Sequence, residues 1–201
     1  MATARRRNPW ISIADLLSSV VLILLLLYVL ATIIPQFTQE NQQREMMRQI
    51  DAQLKPYEDS GQVEVHLETG TLEFTSLTFE SGSAELTAAT VSLIGELSRL
   101  LADYMAKEPM MEILIEGHTD PAQISTVMSR GGYFADNVQL STLRAANVRA
   151  AILANLGSSF AGRIGVAGYG DTRLKNKDNP LSPENRRIEV RILWRGSEER
   201  Q

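Results

Sequence analysis

Cysteine is absent from all 201 residues. That excludes disulfides, thiol nucleophiles, thiolate zinc sites and a lipid-carrying lipobox cysteine. Histidine is scarce: there are two, His66 and His118. Asp120 lies near the second, but two histidines with no clustered third ligand make a weak case for zinc. No Ser-His-Asp arrangement and no glycine-rich phosphate loop is present, since "GYG" is too short to count. The chain therefore reads as a non-enzyme with no resident cofactor or metal. Basic residues cluster only at Arg5, Arg6 and Arg7, and the net charge is −4, which argues against a nucleic-acid-binding face. Internal repeats and low-complexity tracts are also missing. What remains is the composition of a folded protein, 44% apolar and 22% charged, with room for one ordinary domain and an appendage.

One long apolar run decides the class. Residues 16–34 carry no charge and are interrupted only by Ser18, Ser19 and Thr32. At ~1.5 Å per residue such a helix reaches roughly 28 Å, close to the hydrocarbon thickness of a bilayer. A cleaved signal peptide has an apolar core of about 7–15 residues and a small-x-small cleavage site. This run is longer, and "LATIIPQ" cleaves poorly, so a retained anchor is expected. The three arginines precede the run, which places residues 1–9 in the cytoplasm and the bulk of the chain in the periplasm of a bacterium. The transmembrane helix is assigned to residues 10–34, with Trp10 at the inner interface and Pro35 ending or kinking it.

Residues 35–62 read as a linker or neck helix. Met46, Met47, Ile50 and Leu54 recur at helical spacing, with a stop expected before Pro56. A plug, a dimer-forming neck and a plain spacer all fit this pattern. From Val63, "VEVHLETGTLEFTS" alternates apolar and polar residues around Thr69 and Gly70, which predicts a hairpin. Leu86, Val91, Ile94, Leu97, Leu101 and Tyr104 form a helical stripe closed by Pro109. "MEILIEG" reads as a buried strand. Ser141 is expected to cap a helix ending at Leu156, with Gly157 as its C-terminal cap. "RIGVAGYG" and "RRIEVRILW" are further strands. The order predicts an α/β fold: one N-terminal transmembrane helix, then a two-layer α/β sandwich over residues 63–194, with a tail at 195–201.

Three stretches carry a family resemblance: "IEGHTDP" at residues 115–121, "DNVQLSTLRAANVRAAIL" at 136–153 and "AGYGDTRLKNKDNPLSPENRRIEVRI" at 167–192. Their order resembles the OmpA-like peptidoglycan-binding domain shared by OmpA, Pal and MotB, over about residues 63–194. The resemblance implies an α/β sandwich whose ligand is the diaminopimelate-bearing stem peptide of the cell wall. That ligand presents a carboxylate and an ammonium together, so one acid and one base are needed at a fixed separation. Carried over, they are Asp120 and Arg144, whose guanidinium fork suits a carboxylate. Thr119, Asn137 and Leu140 would line the same pocket, with Asn185 and Arg186 closing it. The segment between Asp120 and Asn137, "AQISTVMSRGGYFA", is longer than in OmpA or Pal and nearer MotB in length. Val138 stands where MotB often has tryptophan.

The apolar helix has a resemblance of its own. "NPWISIADLLSSVVLILLLLYVL" is similar to the membrane helix of MotB and of the B subunit of Zorya anti-phage systems, which read W-x-x-x-x-D-[LF]-[MVL]-[ST]. Trp10 and Asp15 have that spacing. The resemblance implies a homodimeric B subunit whose two helices sit inside a pentameric ring of multi-pass A subunits. Asp15 would carry H+ or Na+, and the wall-bound domain would hold the pair still. The compact layout favours a Zorya-like defence motor. A flagellar stator subunit and a passive membrane-to-wall tether are the alternatives. An acid within a membrane helix costs about 2.5–3.5 kcal/mol on insertion scales and is by default a functional candidate. Asp15, Ser18, Ser19 and Leu22 share one helix face, so the hydroxyls could bond the acid or its cation. Alternatively, Asp15 lies at the interface and snorkels to the cytoplasm.

Overall fold

The structure is a computed structural model that describes residues 9–74, 79, 84–122 and 136–195. The chain divides into two compact units, Met1–Met46 and Met47–Gln201.

In the first unit the apolar run is helical. Helix α1 spans Pro9–Tyr28, and the wider turns of a π-helix follow at Val29–Ile33. Within Pro9–Ile33 an 18-residue stretch reaches a mean hydropathy of 2.8, and this is the one described helix long and apolar enough to cross a membrane. Of the two expectations for Pro35, an end to the helix is not met, because α2 continues over Ile34–Asp59. Proline has no amide hydrogen to donate, and a π-turn just before it re-pairs the backbone groups that its absence frees. The Thr32 hydroxyl donates to the Tyr28 carbonyl at 2.5 Å.

The second unit takes in the later part of α2. That helix does not stop before Pro56 as expected but runs through it to Asp59. Met47, Ile50 and Leu54 are 2%, 0% and 2% exposed, so the apolar stripe of the neck is used within the unit. Its partner is α3 (Ala88–Lys107): the Tyr104 hydroxyl donates to Gln49 Oε1 at 2.5 Å, and the Tyr57 hydroxyl bonds Glu96. At its end, Glu58 Oε1 accepts the Val65 amide at 3.0 Å and ties the helix to the sheet.

Among the described residues, strands β1 (Val63–His66), β2 (Thr71–Phe74), β3 (Met111–His118), β4 (Ile164–Gly170) and β5 (Ile188–Trp194) form one sheet in the order β1-β2-β5-β3-β4. Only β3 and β4 pair in parallel, joined by α4 (Asn137–Leu156), because a parallel pair needs a crossover. The predicted hairpin forms as β1 and β2, with Gly70 at φ +66° in its turn. Alternation sorts the faces. Leu72, Ile113, Ile115, Ile188, Val190 and Ile192 are buried at 3% exposure or less and face the helix layer. In register on the opposite face stand Glu64, Glu73, Glu189 and Glu116, one from each of four neighbouring strands.

Helix limits follow from caps. Thr87 accepts the Thr90 amide at the start of α3. Within α3, Val91 is exposed while Leu93 and Met105 are buried, so the buried stripe differs at its edges from the predicted one. The cap of α4 is Asp136, not Ser141: the Asp136 carboxylate accepts the Gln139 amide at 2.8 Å. Ser141 lies one turn inside, fully buried against the sheet. Gly157 closes α4 as predicted, at φ +92°.

Candidate functional site

The charged residues singled out from the sequence converge where β3 leaves the sheet. The His118 amide donates to the Arg187 carbonyl at 3.0 Å, and the Thr119 amide to the Gly170 carbonyl at 2.9 Å. The start of β5 and the end of β4 thus hold this strand end from both sides. Asp120 follows, 8% exposed. Its Oδ2 accepts from Arg186 Nη1 at 2.7 Å and its Oδ1 from the Ala122 amide at 3.2 Å. Asn137, the first residue of α4, donates from Nδ2 to the carbonyls of Asp120 at 3.2 Å and Ala122 at 3.5 Å.

Arg144 comes two turns into α4 and is 7% exposed. Its guanidinium carbon lies 4.9 Å from the centre of the Phe79 ring, a cation–π distance. Burial lowers its pKa to about 10; the like charge of Arg186 adds to the effect and Asp120 opposes it. It is still a cation at neutral pH, held where a second carboxylate would be favourable.

Two glycines let α4 come this close. A Cβ at Gly117 would sit 2.1 Å from the Ser141 carbonyl oxygen, and one at Gly168 would sit 2.1 Å from Thr142 Oγ1 and 2.6 Å from the Thr142 nitrogen. Ser141 Oγ accepts the Gly170 amide at 2.9 Å and donates to the Val138 carbonyl. The helix start is therefore pinned to the ends of the parallel strands, and Asn137 and Arg144 are placed beside Asp120.

The other predicted lining residues divide. Thr119 is at the site, with a buried hydroxyl that has no hydrogen-bond partner among the described residues. Leu140 packs with Ala84 and Leu143 in a small apolar cluster. Asn185 is placed beside the site as the brace of a loop. It is fully buried, and its amide donates to the carbonyls of Asn176, Asn179 and Pro180 while its Oδ1 accepts the Asn176 amide. Every polar atom of that side chain is spent bracing the loop that delivers Arg186. The inserted residues 123–135 lie outside the described residues.

Sequence reasoning missed the polar face of the sheet, although the alternation in "VEVHLETGTLEF" and "RRIEVRI" signals it. Two groups there have metal-ligand chemistry, Glu64-His66-Glu73 and Glu116-His118-Glu189. Each is already served by side-chain cations. Lys175 Nζ lies 2.9 Å from Glu64 and 2.8 Å from Glu73. Arg187 reaches Glu189 Oε1 with Nε at 2.8 Å and Nη2 at 2.7 Å, and Arg191 lies 3.5 Å from Glu116. A dication would compete with these groups, so the clusters are ion-pair networks first. His118 is 2% exposed, and among the described residues neither ring nitrogen has a hydrogen-bond partner. Burial lowers its pKa to about 4, with Arg187 and Arg173 adding and Glu189 opposing.

The acid of the apolar helix belongs to the other unit. Asp15 is exposed on α1. The hydroxyls of Ser18 and Ser19 do not bond its carboxylate. They donate to the backbone carbonyls one turn back, Ser18 to Ala14 at 2.8 Å and Ser19 to Asp15 at 2.9 Å. This is the default for serine inside a helix, where the i−4 carbonyl is the nearest acceptor.

Fold and site together define an α/β sandwich that presents a buried acid and two guanidiniums at its strand ends. The chain belongs to the OmpA family, whose model matches residues 78–187. Solved structures share the fold. A putative MotB like protein from Desulfovibrio vulgaris is 23% identical, with a TM-score of 0.61 over 80% of this chain and 99% of that one. The cell wall anchor of the T6SS from Pseudomonas aeruginosa is 25% identical, with a TM-score of 0.55 over 72% of this chain and 95% of that one. The periplasmic domain of Helicobacter pylori MotB is 16% identical, with a TM-score of 0.51 over 64% and 78%. No curated protein sequence matches the chain.

Proposed function

We propose that this protein is the wall-anchored B subunit of an ion-driven rotary motor in the bacterial inner membrane. Residues 10–34 cross the membrane with the N-terminus in the cytoplasm, and the OmpA-like unit binds peptidoglycan in the periplasm. The observation that carries wall binding is the meeting of Asp120 and Arg144 in one buried charged cluster. A stem peptide ending in diaminopimelate offers the two complementary charges, and charge-assisted bonds to both are strong. The likeness to a T6SS cell wall anchor supports the same role. The work is binding and ion carriage rather than catalysis, and nucleic acid is not a direct ligand.

The motor part is supported by Asp15, the single charged residue in the apolar span Pro9–Ile33. In this scheme two copies pair, their helices sit within five multi-pass A subunits, and Asp15 passes H+ or Na+. The apolar span ends at Ile33 and the compact unit begins at Met47. So short a connection favours a Zorya-like defence motor over a flagellar stator.

Wall binding is tested by mixing the full-length protein, in detergent, with isolated sacculi and sedimenting them. The wild type should co-sediment. Asp120→Asn and Arg144→Gln should each weaken retention by about ten-fold or more, the worth of one hydrogen bond to a charged group. Undiminished retention of both variants would end the wall-binding assignment.

A further inference from the structure

The two groups with metal-ligand chemistry on the polar face of the sheet differ in one respect. In Glu64-His66-Glu73, Lys175 Nζ lies within 3 Å of both carboxylates, and solvent reaches His66. In Glu116-His118-Glu189 the imidazole is buried, and among the described residues neither of its nitrogens has a hydrogen-bond partner. Buried polar groups left in that state are few in folded proteins, and an ion is one of the things that answers them.

The strands bring the donors together. Glu116 and His118 are two apart on β3, so both side chains leave the same face. Glu189 on β5 stands directly opposite Glu116. The three ligand atoms lie within 4.8 Å of one another, and His118 Nε2 is 3.6 Å from Glu189 Oε1. Ligand atoms around four-coordinate zinc are roughly 3.3 Å apart, so small side-chain rotations close the set. Burial keeps the imidazole neutral at pH 7, which is the form that binds a metal. The group lies across the sheet from α4, because a Cβ on the intervening Gly117 would strike Ser141. It is therefore separate from the cluster around Asp120.

The resident cations leave room. Arg187 gives two bonds to Glu189 Oε1, at 2.8 and 2.7 Å, and a carboxylate has a second oxygen and further lone pairs. The Tyr169 hydroxyl donates to Glu116 Oε1 at 3.0 Å. Outer contacts of this kind orient the ligands of metal sites. Arg191 is the weak member: its Nη1 is 3.5 Å from Glu116 Oε1, and its side chain is 39% exposed. An exposed ion pair yields at little cost. Arg187 and Arg173 oppose any added cation, which sets the affinity below that of a closed structural site.

We propose that Glu116, His118 and Glu189 bind a divalent transition-metal ion of the zinc type, which enters by displacing Arg191 and keeps its fourth position for water. One imidazole nitrogen and two carboxylate oxygens suit Zn2+ better than Mg2+ or Ca2+, which take oxygen ligands. The bound ion would fasten β3 to β5 just before the strand end at Thr119.

The experiment uses the full-length protein in detergent, without a histidine tag, stripped by a chelator that is then dialysed away. Calorimetric titration with ZnCl2 should show one ion bound per chain, and Zn2+ should raise the midpoint of thermal unfolding. MgCl2 at the same concentrations should do neither. His118→Gln should weaken Zn2+ binding by about 100-fold, and Glu116→Gln, which keeps the side-chain shape, by about ten-fold or more. Arg191→Gln removes the competing cation and should tighten binding by about two- to five-fold. His66→Gln, in the other group, should leave it unchanged. Absence of Zn2+ binding, equal binding of Mg2+, full affinity in His118→Gln or Glu116→Gln, unaltered affinity in Arg191→Gln, or loss of binding in His66→Gln each overturns the proposal. Should His118→Gln fail to fold, Glu116→Gln and Arg191→Gln decide it.

Discussion

His118 is strongly altered in its chemistry by the fold. It stands two positions before Asp120, buried, with no hydrogen bond to either ring nitrogen among the described residues and with Arg187 and Arg173 nearby. Its pKa falls from an ordinary 6.5 to about 4, chiefly through burial. The unfolded chain therefore takes up a proton between those values that the folded chain refuses. The sign follows from linkage: stability is full above pH 6.5, declines as pH falls through this window, and stops declining below about 4. The loss amounts to about 3 kcal/mol. Denaturant unfolding of the full-length protein at a series of pH values should show that slope, and His118→Gln should flatten it. An equal slope in the variant would place the acid sensitivity elsewhere. Asp120 and Arg144 differ from His118 in kind, because their charges persist and act on what binds.

At the scale of elements, the site depends on how closely α4 approaches the parallel strand pair. Gly117 and Gly168 give up their side chains so that Ser141 and Thr142 can lie against the sheet backbone. Gly168→Ala should push the start of α4 outward. Overpacking of this kind costs about 1–3 kcal/mol, and the same shift should weaken sacculus binding by moving Asn137 and Arg144. Thermal unfolding and sedimentation measured on the same sample would show both effects; normal stability with normal binding would mean that α4 has slack. Helix α2 makes a separate contribution. Ile50 is fully buried in the second unit, so Ile50→Ala should cost about 2–5 kcal/mol, as a core residue does. An exposed spacer helix would lose almost nothing. The outcome decides whether residues 47–59 are part of the domain or a strap outside it.

At the scale of the whole molecule, the chemistry is divided between two units. One holds a lone acid on an apolar helix, and the other holds the charged cluster of an OmpA-family domain. A motor subunit needs the acid as well as the helix and the cluster, whereas a passive tether needs only the helix and the cluster. Asp15→Asn keeps size and hydrogen-bonding capacity while removing the charge that a cation would follow. If the proposed motor function holds, that variant, co-produced with a multi-pass A subunit, should lose ion flux and the dependent output, phage resistance or motility, while sedimenting with sacculi as well as the wild type. Full output from Asp15→Asn would reduce the protein to a tether and leave the wall-binding assignment intact. A multi-pass protein with a long cytoplasmic helical tail encoded beside this one, followed by nuclease or helicase genes, would favour the defence motor. A flagellar operon would favour the stator.

The sequence alone determined the apolar span, the alternation that gives each strand its two faces, and the motif that names Asp120, Arg144 and Arg186. These are local or periodic properties, written in side-chain chemistry and short spacings. Tertiary structure decided what each of those residues does with its neighbours. Ser141 looks like a cap because serine often is one, yet Asp136 lies where the helix begins and Ser141 is needed against the sheet. Pro56 looks like a stop, yet burial of Ile50 and Leu54 sustains the helix through it. Asn185 looks like a ligand contact, yet three loop carbonyls close around it. The pairing of Arg186 with Asp120 joins residues from distant parts of the chain, and no spacing along the sequence records a distance that only packing creates.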